Sequence, residues 1–470
     1  MQYPPLMPRV AAAVAAVWAL AGCASLAPVD TRPSLQSAAP SSWAAPLPHQ
    51  GQATELQRWW AQFNDPLMDD LLAAAQQASP TLAAARTRVA EARVALAEAG
   101  AREGLGLDVA ASVSRSRTTP GQPVATAGSV ALQGRWEVDL WGSVAAGREA
   151  AQAQIESAQA GWHAARVAVA AETASTYVAW RACRAQSQVQ RDDVASQQRA
   201  LGIAVQAERA GTRAPTDTAV SRAALAQSQA QLAARQVVCD AQVKALVALT
   251  ALPESALRSR VDAWPSAVPQ PAQPLVPDVP ASVLRQRPDV YQAEREWVTR
   301  AARLVQADAA QRPSVVLSGS IGRSRVSTAG LTSEGAVWSL GPLSITWPVL
   351  DGGSRRAARE AADVALDEAR TRYLATLREA VREVEDALLQ LDSLAAQRVR
   401  TREALEALEQ VWRGTESRAR AGLASTLELE DARRQTLQAR QSLMDIELAH
   451  TQTWITLYRA LGGGWNPENP

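Results

Sequence analysis

The sequence predicts a mixed α/β membrane protein in which one unit of helices and strands is used twice. The first observation is an internal duplication, because Trp136 and Gly142 recur as Trp347 and Gly353, 211 positions later (347 − 136 = 211). The second is that each copy holds two runs of alternating apolar and polar residues, followed by a very long stretch without proline. The third is an export signal at the N-terminus. The period far exceeds the roughly 20 to 50 residues of solenoid repeats, so we expect two half-domains with pseudo-twofold organisation.

The duplication keeps one register over most of each copy. Arg148, Glu149, Glu172 and Arg209-Ala210-Gly211 recur at the same offset, as Arg359, Glu360, Glu383 and Arg420-Ala421-Gly422. Upstream, Pro80 and Ser116-Arg117 match Pro288 and Ser324-Arg325 at an offset of 208 (324 − 116 = 208). The difference between the two offsets predicts a small insertion in a loop between these two sets of matches.

The composition excludes several classes of protein. Lys and Arg total 48 against 47 for Asp and Glu, so no basic surface for nucleic acid is expected. Only 4% of the residues are aromatic, and alanine, arginine and glutamine dominate the long segments, which is typical of thin helices. His49, His163 and His450 lie far apart without metal-binding spacing, and neither a catalytic grouping nor a nucleotide-binding loop is present in the sequence. We therefore expect neither an enzyme nor a cofactor other than a covalent lipid.

The N-terminus carries signals for export and lipid attachment. Arg9 precedes the apolar segment Val10 to Leu20, which is too short to span a membrane, so residues 1–22 are interpreted as a signal peptide. The sequence Leu20-Ala21-Gly22-Cys23 resembles the bacterial lipobox, which predicts a covalent lipid on Cys23. The alternative is an ordinary signal peptide with an incidental cysteine. No aspartate follows Cys23, so we expect an outer-membrane lipid anchor on the periplasmic side, supported by a second attachment because one acylated chain anchors only marginally.

The same patterns divide the mature chain into segments. These are a leader rich in Pro, Ser, Ala and Gln, a first repeat, a linker, a second repeat and a short tail, at residues 23–60, 61–251, 252–280, 281–461 and 462–470. A tryptophan-marked helix start lies between Leu56 and Leu72, and a helical pattern runs from Pro80 to Arg102. The triplet Gly462-Gly463-Gly464 is interpreted as a chain end.

Each repeat then changes to the period-two pattern of β-strands. The predicted strands cover Leu105–Arg117 and Val130–Leu140 in the first copy and Pro313–Val326 and Val337–Val349 in the second, within hairpins at about 105–141 and 313–350. Residues Thr119 to Pro123 have the composition of a turn. A soluble β-sandwich would give the same alternation, but runs of roughly 10 residues with one apolar and one polar face favour outer-membrane strands.

Four strands are too few to close a barrel in a membrane. Bacterial barrels have at least about eight strands, and an open edge in lipid leaves backbone groups unpaired. Several chains must therefore contribute to one barrel. Three chains would give twelve strands, the smallest oligomer that clearly leaves room for a channel.

A very long helical hairpin is predicted after each pair of strands, at about 144–250 and 354–461. Residues 144–208 contain no proline, and a helix of that length would reach roughly 100 Å. In the second copy a seven-residue repeat typical of a left-handed coiled coil is formed by Leu374, Val381, Leu388 and by Leu377, Val384, Leu391. A cytosolic coiled-coil rod would fit these helices but not the signal peptide or the strands.

Each hairpin turns at a glycine. Gly211 and Gly422 can supply the left-handed residue that follows the first helix of each hairpin. Asp217 or Ser425 can cap the returning helices, which are predicted at Asp217–Thr250 and Thr426–Ala460.

The two remaining cysteines lie at equal distances from the first turn. Cys183 precedes Gly211 by 28 residues, and Cys239 follows it by 28 (211 − 183 = 28; 239 − 211 = 28). In an antiparallel hairpin they would lie at similar heights on neighbouring helices, and the periplasm is oxidising. We therefore hypothesise a disulfide between them, with two buried free thiols as the alternative.

Several motifs together cover nearly the whole mature chain. They are Trp59-Trp60 with Phe63 and Asp65-Pro66, Trp136 to Gly142, Arg209-x-Gly211, Val279 to Val290 with Arg287-Pro288-Asp289, Trp347 to Gly353, and Arg420-x-Gly422-Leu423-x-Ser425. With these motifs the chain resembles the outer-membrane efflux factors, which are the TolC/OprM-like exit ducts of tripartite pumps, in their NodT-type lipoprotein branch.

The resemblance implies a homotrimer with a 12-stranded β-barrel in the outer membrane that continues into a long periplasmic α-helical barrel. It also implies an equatorial region built from the N-terminal, middle and C-terminal segments, at about residues 28–60, 252–280 and 462–470. The duct would conduct small molecules passively, with a periplasmic adaptor protein and an inner-membrane RND transporter as partners. Two alternatives stay open, namely a similar duct for type I protein secretion and a structural envelope lipoprotein with coiled-coil arms.

The resemblance also implies that the hairpin tips form the periplasmic gate and the adaptor-docking site. The candidate residues are Arg209, Gly211 and Asp217 in the first tip and Glu416, Arg420, Gly422, Leu423 and Ser425 in the second. Charges near a threefold axis would form bridges between chains that hold a resting duct shut. The alternative for any one of these residues is a solvated surface position.

Overall fold

A computed structural model of the protein describes residues 43–44, 56–117, 120–262, 267–271, 284 and 286–465. By its internal contacts the chain divides into Met1–Ser34 and Leu35–Pro470, and all described residues belong to the second unit. The predicted signal peptide and Cys23 lie outside the described residues, as do much of the leader, much of the linker and the end of the tail. The structure therefore describes mainly the two repeats.

The first repeat contains short helices, two strands and two long helices. In chain order these are a 3-10 helix at Leu56–Phe63, α1 at Pro66–Ala78, α2 at Pro80–Ala101, β1 at Gly106–Ser116, β2 at Ala125–Val138, α3 at Ser143–Arg209 and α4 at Pro215–Thr250. A short helix, α5 at Glu254–Asp262, follows in the segment between the repeats.

The second repeat follows the same order from the helix that precedes its strands. Its elements are α6 at Pro288–Ala309, β3 at Ser314–Thr328, β4 at Leu331–Thr346, α7 at Ser354–Arg420, α8 at Thr426–Ala460 and a 3-10 helix at Gly462–Gly464. Helices α3 and α7 each contain 67 residues, and each begins after a glycine with positive φ, 73° at Gly142 and 82° at Gly353. The internal duplication predicted from the sequence is confirmed.

None of the helices in the described ranges is both long enough and apolar enough to cross a membrane.

Compared with the sequence pattern, β1 is two residues shorter, whereas β2, β3 and β4 are longer. The four strands contain 11, 14, 15 and 16 residues. β2 begins at Ala125 rather than Val130, and β4 begins at Leu331 rather than Val337, because the added residues are mostly small or polar and pair with a partner strand without clear alternation. β4 ends before Pro348, which has no amide hydrogen to donate.

The insertion in the second copy lies in the strands and not in a loop. The second hairpin turns through Ala329 and Gly330 alone, whereas residues 117–124 connect β1 to β2. The extra residues of the second copy are therefore paired in longer strands, and the expected loop insertion was wrong. A length difference between repeats locates an insertion in sequence but does not show whether its residues pair.

The main apolar core lies where both long hairpins meet the N-terminal helices. The core residues from these elements include Trp59, Leu71, Tyr177, Leu246, Leu388 and Leu457, each at most 2% exposed. Trp59 packs against Trp454 and Tyr458 with ring centroids 5.8 and 5.7 Å apart. Burying a large apolar side chain contributes roughly 1.5–3 kcal/mol. The predicted seven-residue seam faces inward, since Leu377, Val384, Leu388 and Leu391 are buried and Leu374 and Val381 are partly buried.

A buried ion pair holds α1 against α3. Asp65 accepts a hydrogen bond from the Leu67 amide at 3.1 Å and so caps α1. The same carboxylate pairs with the Arg181 guanidinium at 2.7 Å and accepts a hydrogen bond from the Tyr177 hydroxyl at 2.8 Å. Burial, and then the bond to Asp65, raise the pKa of Tyr177, so its hydroxyl stays protonated as a donor. Asp65 therefore acts both as a helix cap and as the counter-ion of a buried arginine.

The second repeat has its own buried arginine, at the start of the helix that corresponds to α2. Arg287 precedes α6, is 5% exposed, and donates to the Asp289 carboxylate at 2.6 Å and to Glu383 of α7 at 2.8 Å. A third bond, at 2.7 Å, reaches the carbonyl of Ala460 in the last turn of α8. Burial acts to lower the pKa of Arg287, but the two carboxylates raise it overall. Arg287 thus joins three helices and satisfies a carbonyl that the end of α8 leaves open.

The glycine triplet after α8 is a packed element and not only a chain end. Gly462 has a φ of 81°, and a Cβ at this position would clash with the carbonyl oxygen of Gln286. A Cβ on Gly463 would clash with a methyl group of Val167. The backbone of the triplet therefore approaches α3 and the segment before α6 more closely than any other residue type allows.

Replacing Asp65 by Ala should lower the free energy of unfolding by about 3–5 kcal/mol, because the buried Arg181 loses the carboxylate at 2.7 Å and α1 loses its cap. Denaturant unfolding of the detergent-solubilised protein, followed by circular dichroism, would measure the change. Glu103→Ala is the control, since it removes an exposed Arg148–Glu103 pair of the same 2.7 Å length and should cost less than about 1 kcal/mol. Equal destabilisation by both variants would contradict a structural role for the buried pair.

Candidate functional site

The four strands form one antiparallel sheet in the order β1-β2-β3-β4. β2 pairs with β3, so the hairpins of the two repeats join into one continuous surface. Within the described part of the chain, β1 and β4 are edge strands with a partner on one side only. Each edge therefore presents backbone amide and carbonyl groups that no strand of the same chain satisfies.

One face of the sheet is apolar over most of its height. The strand register places Leu107, Gly134, Gly319 and Leu340 in one row and Val109, Leu132, Ile321 and Trp338 in the next. Rows nearer the helices add Trp136, Leu317 and Leu343 and then Val138, Val315 and Ile345. These side chains are largely uncovered, with Val109 74% and Leu340 80% exposed. A continuous apolar surface of this size indicates contact with lipid or with another protein.

The opposite face carries polar side chains. One row contains Asp108, Gln133, Ser320 and Ser339, and another contains Ser112, Ser129 and Ser324. The hydroxyl oxygens of Ser112 and Ser129 lie 3.0 Å apart, and those of Ser320 and Ser339 lie 2.9 Å apart, so hydrogen bonds cross the strands. An apolar and a polar face on the same strands are typical of β-strands between lipid and an aqueous lumen.

Tryptophans mark the end of the sheet nearest the long helices. Trp136 and Trp347 are 40% and 64% exposed, and Trp141 donates its indole N–H to the carbonyl of Pro313 at 2.7 Å. Aromatic side chains at such a boundary are typical of a membrane–water interface, where an apolar ring and a polar N–H are both satisfied.

Both hairpin tips end their first helix in the same way. Gly211 and Gly422 have φ values of 69° and 72°, and the residues after them close the helix end with backbone bonds. Thr212 donates to the carbonyl of Ala207 at 3.0 Å, and Leu423 donates to that of Arg418 at 2.8 Å. The predicted left-handed glycine turns are confirmed.

The returning helices are capped differently. The Ser425 hydroxyl accepts from the Glu428 amide at 3.1 Å, while the Glu428 carboxylate accepts from the Ser425 amide at 2.7 Å, a complete capping box. The prediction that Asp217 caps α4 was wrong. The helix begins at Pro215, which suits a first helical position, and Asp217 lies in the first turn, paired with Arg213 at 3.4 Å. The capping position is Ala214, which offers no side-chain acceptor.

The charges at the tips are arranged in local pairs. Glu416 and Arg420 of α7 pair at 2.9 Å, one helical turn apart. Leu423 is 71% exposed, and the other candidate residues of both tips, Arg209, Gly211, Asp217, Arg420, Gly422 and Ser425, are exposed as well, with Glu416 partly buried. No ion pair between these residues joins one tip to the other within the described chain. The tip surfaces of a single chain are thus open to solvent.

One link between the two hairpins was not predicted from the sequence. Glu430 of α8 is 5% exposed, accepts a hydrogen bond from the Ser196 hydroxyl of α3, and lies 3.6 Å from Arg199. Glu430 therefore joins α8, the returning helix of the second hairpin, to α3 in the part of the hairpins close to the tips. The only sign in the sequence is an acidic residue in the first turns of α8, which does not identify its partner.

The two cysteines of the first hairpin are bonded in the structure. Cys183 of α3 and Cys239 of α4 have Cα atoms 5.5 Å apart and form a disulfide. This is the pairing that was hypothesised from their equal distances to Gly211. The bond lies about 28 residues, or roughly 40 Å of helix, from the turn.

His450 is a packing residue. Its Nδ1 lies 3.1 Å from the side-chain oxygen of Gln270, and Trp454 donates its indole N–H to Nε2 at 3.2 Å. Burial lowers the pKa of His450 to about 4, and the nearby Arg398 acts in the same direction, so the ring is neutral near pH 7. His49 lies outside the described residues, and within them no group of His, Cys, Asp and Glu side chains could hold a metal ion.

Replacing Ser425 by Ala should destabilise the first turn of α8 by about 1 kcal/mol, because one of its amides loses its acceptor. Hydrogen exchange followed by mass spectrometry should then show roughly fivefold faster exchange in the peptide that begins at Thr426. The matched variant Ala214→Ser supplies the acceptor that α4 lacks and should slow exchange at its start. Unchanged exchange in both variants would show that the caps do not limit fraying of the tips.

Comparison with known proteins agrees with this architecture. The family model for outer membrane efflux proteins matches residues 71–252 and 279–463, which cover most of both repeats. The pyoverdine export outer membrane protein OpmQ of Pseudomonas putida is 27% identical over 94% of this chain and 95% of its own length. The outer membrane protein OprJ of Pseudomonas aeruginosa is also 27% identical, over 95% and 94% of the two chains. The solved structure of the outer-membrane channel OprN superimposes with a TM-score of 0.79 at 25% identity, over 91% of this chain and 97% of that one.

These matches extend over both repeats and include the strands as well as the long helices. The TolC-like channel fold predicted from the sequence is confirmed by the likeness to OprN. The chain belongs to the outer membrane efflux protein family.

Proposed function

We propose that this protein is the exit duct of a tripartite efflux pump and that three copies form one channel. The observation that carries the proposal is a four-stranded sheet with two open edges, one apolar face and one polar face. In lipid such a sheet satisfies its backbone only by closing onto other strands. With β4 of one copy paired to β1 of the next, three copies close a barrel of twelve strands.

In this barrel the apolar face contacts lipid and the serine-rich face lines the lumen. A barrel of about eight strands is filled by its own side chains, whereas a larger one leaves an aqueous passage. Hydroxyl groups such as those of Ser129 and Ser324 hydrate the passage without binding a solute strongly. Transport through the duct is therefore passive, and the channel performs no catalysis.

Exposed apolar side chains on the long helices support assembly below the barrel. α4 exposes Val220, Val237 and Val238, and α7 exposes Val364, Leu389, Val399 and Val411. Neighbouring copies cover these side chains in a ring, and the many alanines of the helices allow close approach. Helices of 67 residues extend the ring roughly 100 Å into the periplasm.

The hairpin tips lie at the far end of these helices from the strands. There they dock on a periplasmic adaptor protein and, through it, work with an inner-membrane RND transporter that supplies the energy. A lipid on Cys23 adds a second attachment to the outer membrane beside the barrel. The family membership supports this division of labour, and the name of the relative OpmQ, a pyoverdine export protein, supports a small molecule as cargo.

The purified protein should have the mass of three copies in detergent and should form conducting channels in planar bilayers. A monomer without conductance would contradict the proposal and would leave the envelope lipoprotein with coiled-coil arms. Deletion of the protein should increase sensitivity to small toxic compounds. Loss of export of a large polypeptide, with no change in sensitivity, would instead indicate a type I secretion duct.

Reversing a charge at the second tip should increase the conductance of the resting channel severalfold. We expect this for Glu416→Arg and for Arg420→Glu, because bridges between copies near the threefold axis would be replaced by repulsion. Single-channel recording in planar bilayers measures the effect. Arg400→Glu is the control, since its pair with Glu403 at 3.0 Å lies on the same helix away from the tip. Unchanged conductance in both tip variants would exclude Glu416 and Arg420 from the gate.

A further inference from the structure

The apolar face of the sheet ends in a group of charged residues near the hairpin turns. Arg323 pairs in register with Val130, and Arg325 pairs with Gly128 on one side and with Glu334 on the other. These residues share the face that carries the apolar rows. Arg115 of β1 lies on the same face, one row further toward the turns. Together Arg115, Arg323, Arg325 and Glu334 occupy three successive rows of the register and form one charged band, which we call the charged row.

The height of the charged row places it at the outer surface of the membrane. The row lies toward the strand ends that face away from α3 and α7, which extend into the periplasm in the proposed channel. Along β3, Arg323 is eight residues beyond Val315 (323 − 315 = 8), which is roughly 20 Å of height for a tilted strand. Arginine on the lipid side of a barrel is strongly destabilising at the bilayer midplane but costs little near the interface. The charged row therefore suits the headgroup level of the outer leaflet.

The charged row has an excess of positive charge. Arg325 lies 3.9 Å from Glu334, and both side chains are more than half exposed. Neither Arg115 nor Arg323 forms an ion pair with another residue that the structure describes. Three guanidinium groups thus face one carboxylate, which leaves donors for an anionic group. Guanidinium groups bind phosphate with two parallel hydrogen bonds.

The surface beside the charged row is indented. Gly128 lies between Val113 and Arg325 in one row and has no side chain to fill the space, so a cavity of about 480 Å³ opens beside Arg323 and Arg325. A second cavity, of about 560 Å³, lies further down the same face at Gly134 and Gly319 and is lined mainly by apolar side chains such as Leu132 and Ile321. The six positions from Gly128 to Gly134 span roughly 20 Å of strand, which is comparable to an extended acyl chain.

We propose that this face binds a phosphorylated glycolipid of the outer leaflet, with a phosphate on Arg323 and Arg325 and an acyl chain in the indentation toward Gly134. The inference rests on the proposed function, because it requires the apolar face to contact lipid. Charge and shape both select this ligand. The positive groups lie at headgroup level, with one cavity beside them and the other below them on the hydrocarbon side. Such a lipid would occupy each of the three copies on the outside of the barrel.

The test compares the binding of two purified lipids to the solubilised channel by native mass spectrometry. One is a bis-phosphorylated lipid A, and the other is the same molecule after removal of both phosphates. The wild type should bind the phosphorylated lipid at least about tenfold more tightly. The double variant R323Q/R325Q should lose most of this preference. Arg135→Gln is the matched control, because Arg135 is an exposed arginine of β2 on the polar face, and this variant should keep the preference.

A third variant tests the acyl-chain part of the site. Gly134→Val places a side chain in the lower cavity, with its Cβ at an ordinary contact distance of 3.5 Å from Leu105 and Leu107, so it should weaken binding of both lipids while keeping the preference for phosphate. Oligomer mass and conductance are recorded for every variant, which separates this inference from the proposed channel. A conducting trimer that binds both lipids equally, or R323Q/R325Q with an unchanged preference, would overturn the lipid site and leave the channel intact.

Discussion

The two unpaired edges of the sheet are the constraint on which the rest of the structure depends. Each chain supplies four strands with a lipid-compatible face, but within the described residues β1 and β4 each have a neighbouring strand on one side only. Backbone groups cannot remain open in hydrocarbon, so the strands impose an assembly. The assembly in turn accounts for helices that expose valine and leucine in a single chain. The strands thus require the assembly in which the exposed apolar side chains of the helices are covered, although most of the residues are helical.

The two repeats keep one geometry and use different chemistry to hold it. In the first, Asp65 caps α1 and neutralises Arg181 of α3. In the second, Arg287 binds Asp289 and Glu383 and reaches the end of α8. Arg181 and Arg287 are both buried, and each is tolerated because it has a close, oppositely charged partner. The two networks do not occupy equivalent positions, because Glu383 matches Glu172 and Arg287 matches Ser79 in the duplication (383 − 211 = 172; 287 − 208 = 79).

Periodicity made most of the fold predictable from the sequence. The duplication, four strands, long hairpins and glycine turns all follow from spacing, and the pairing of Cys183 with Cys239 follows from symmetry about Gly211. Other features depend on partners that spacing does not reveal. β2 begins earlier than predicted because its first residues are small or polar and show little alternation. The role of Glu430 depends on Ser196, which lies far away in sequence. The charged row is likewise invisible until the register aligns β2, β3 and β4.

The disulfide also changes how the first hairpin responds to cutting. Cys183 and Cys239 are separated by 56 positions, and the first tip lies entirely between them. A protease that enters from the periplasm meets this tip as a closed covalent ring, so one cut there opens the ring without releasing either fragment. The second hairpin has no such ring among its described residues, and a cut at its tip divides the chain into two molecules. Damage at the two tips therefore has different outcomes, one a nicked but continuous protomer and the other a severed one.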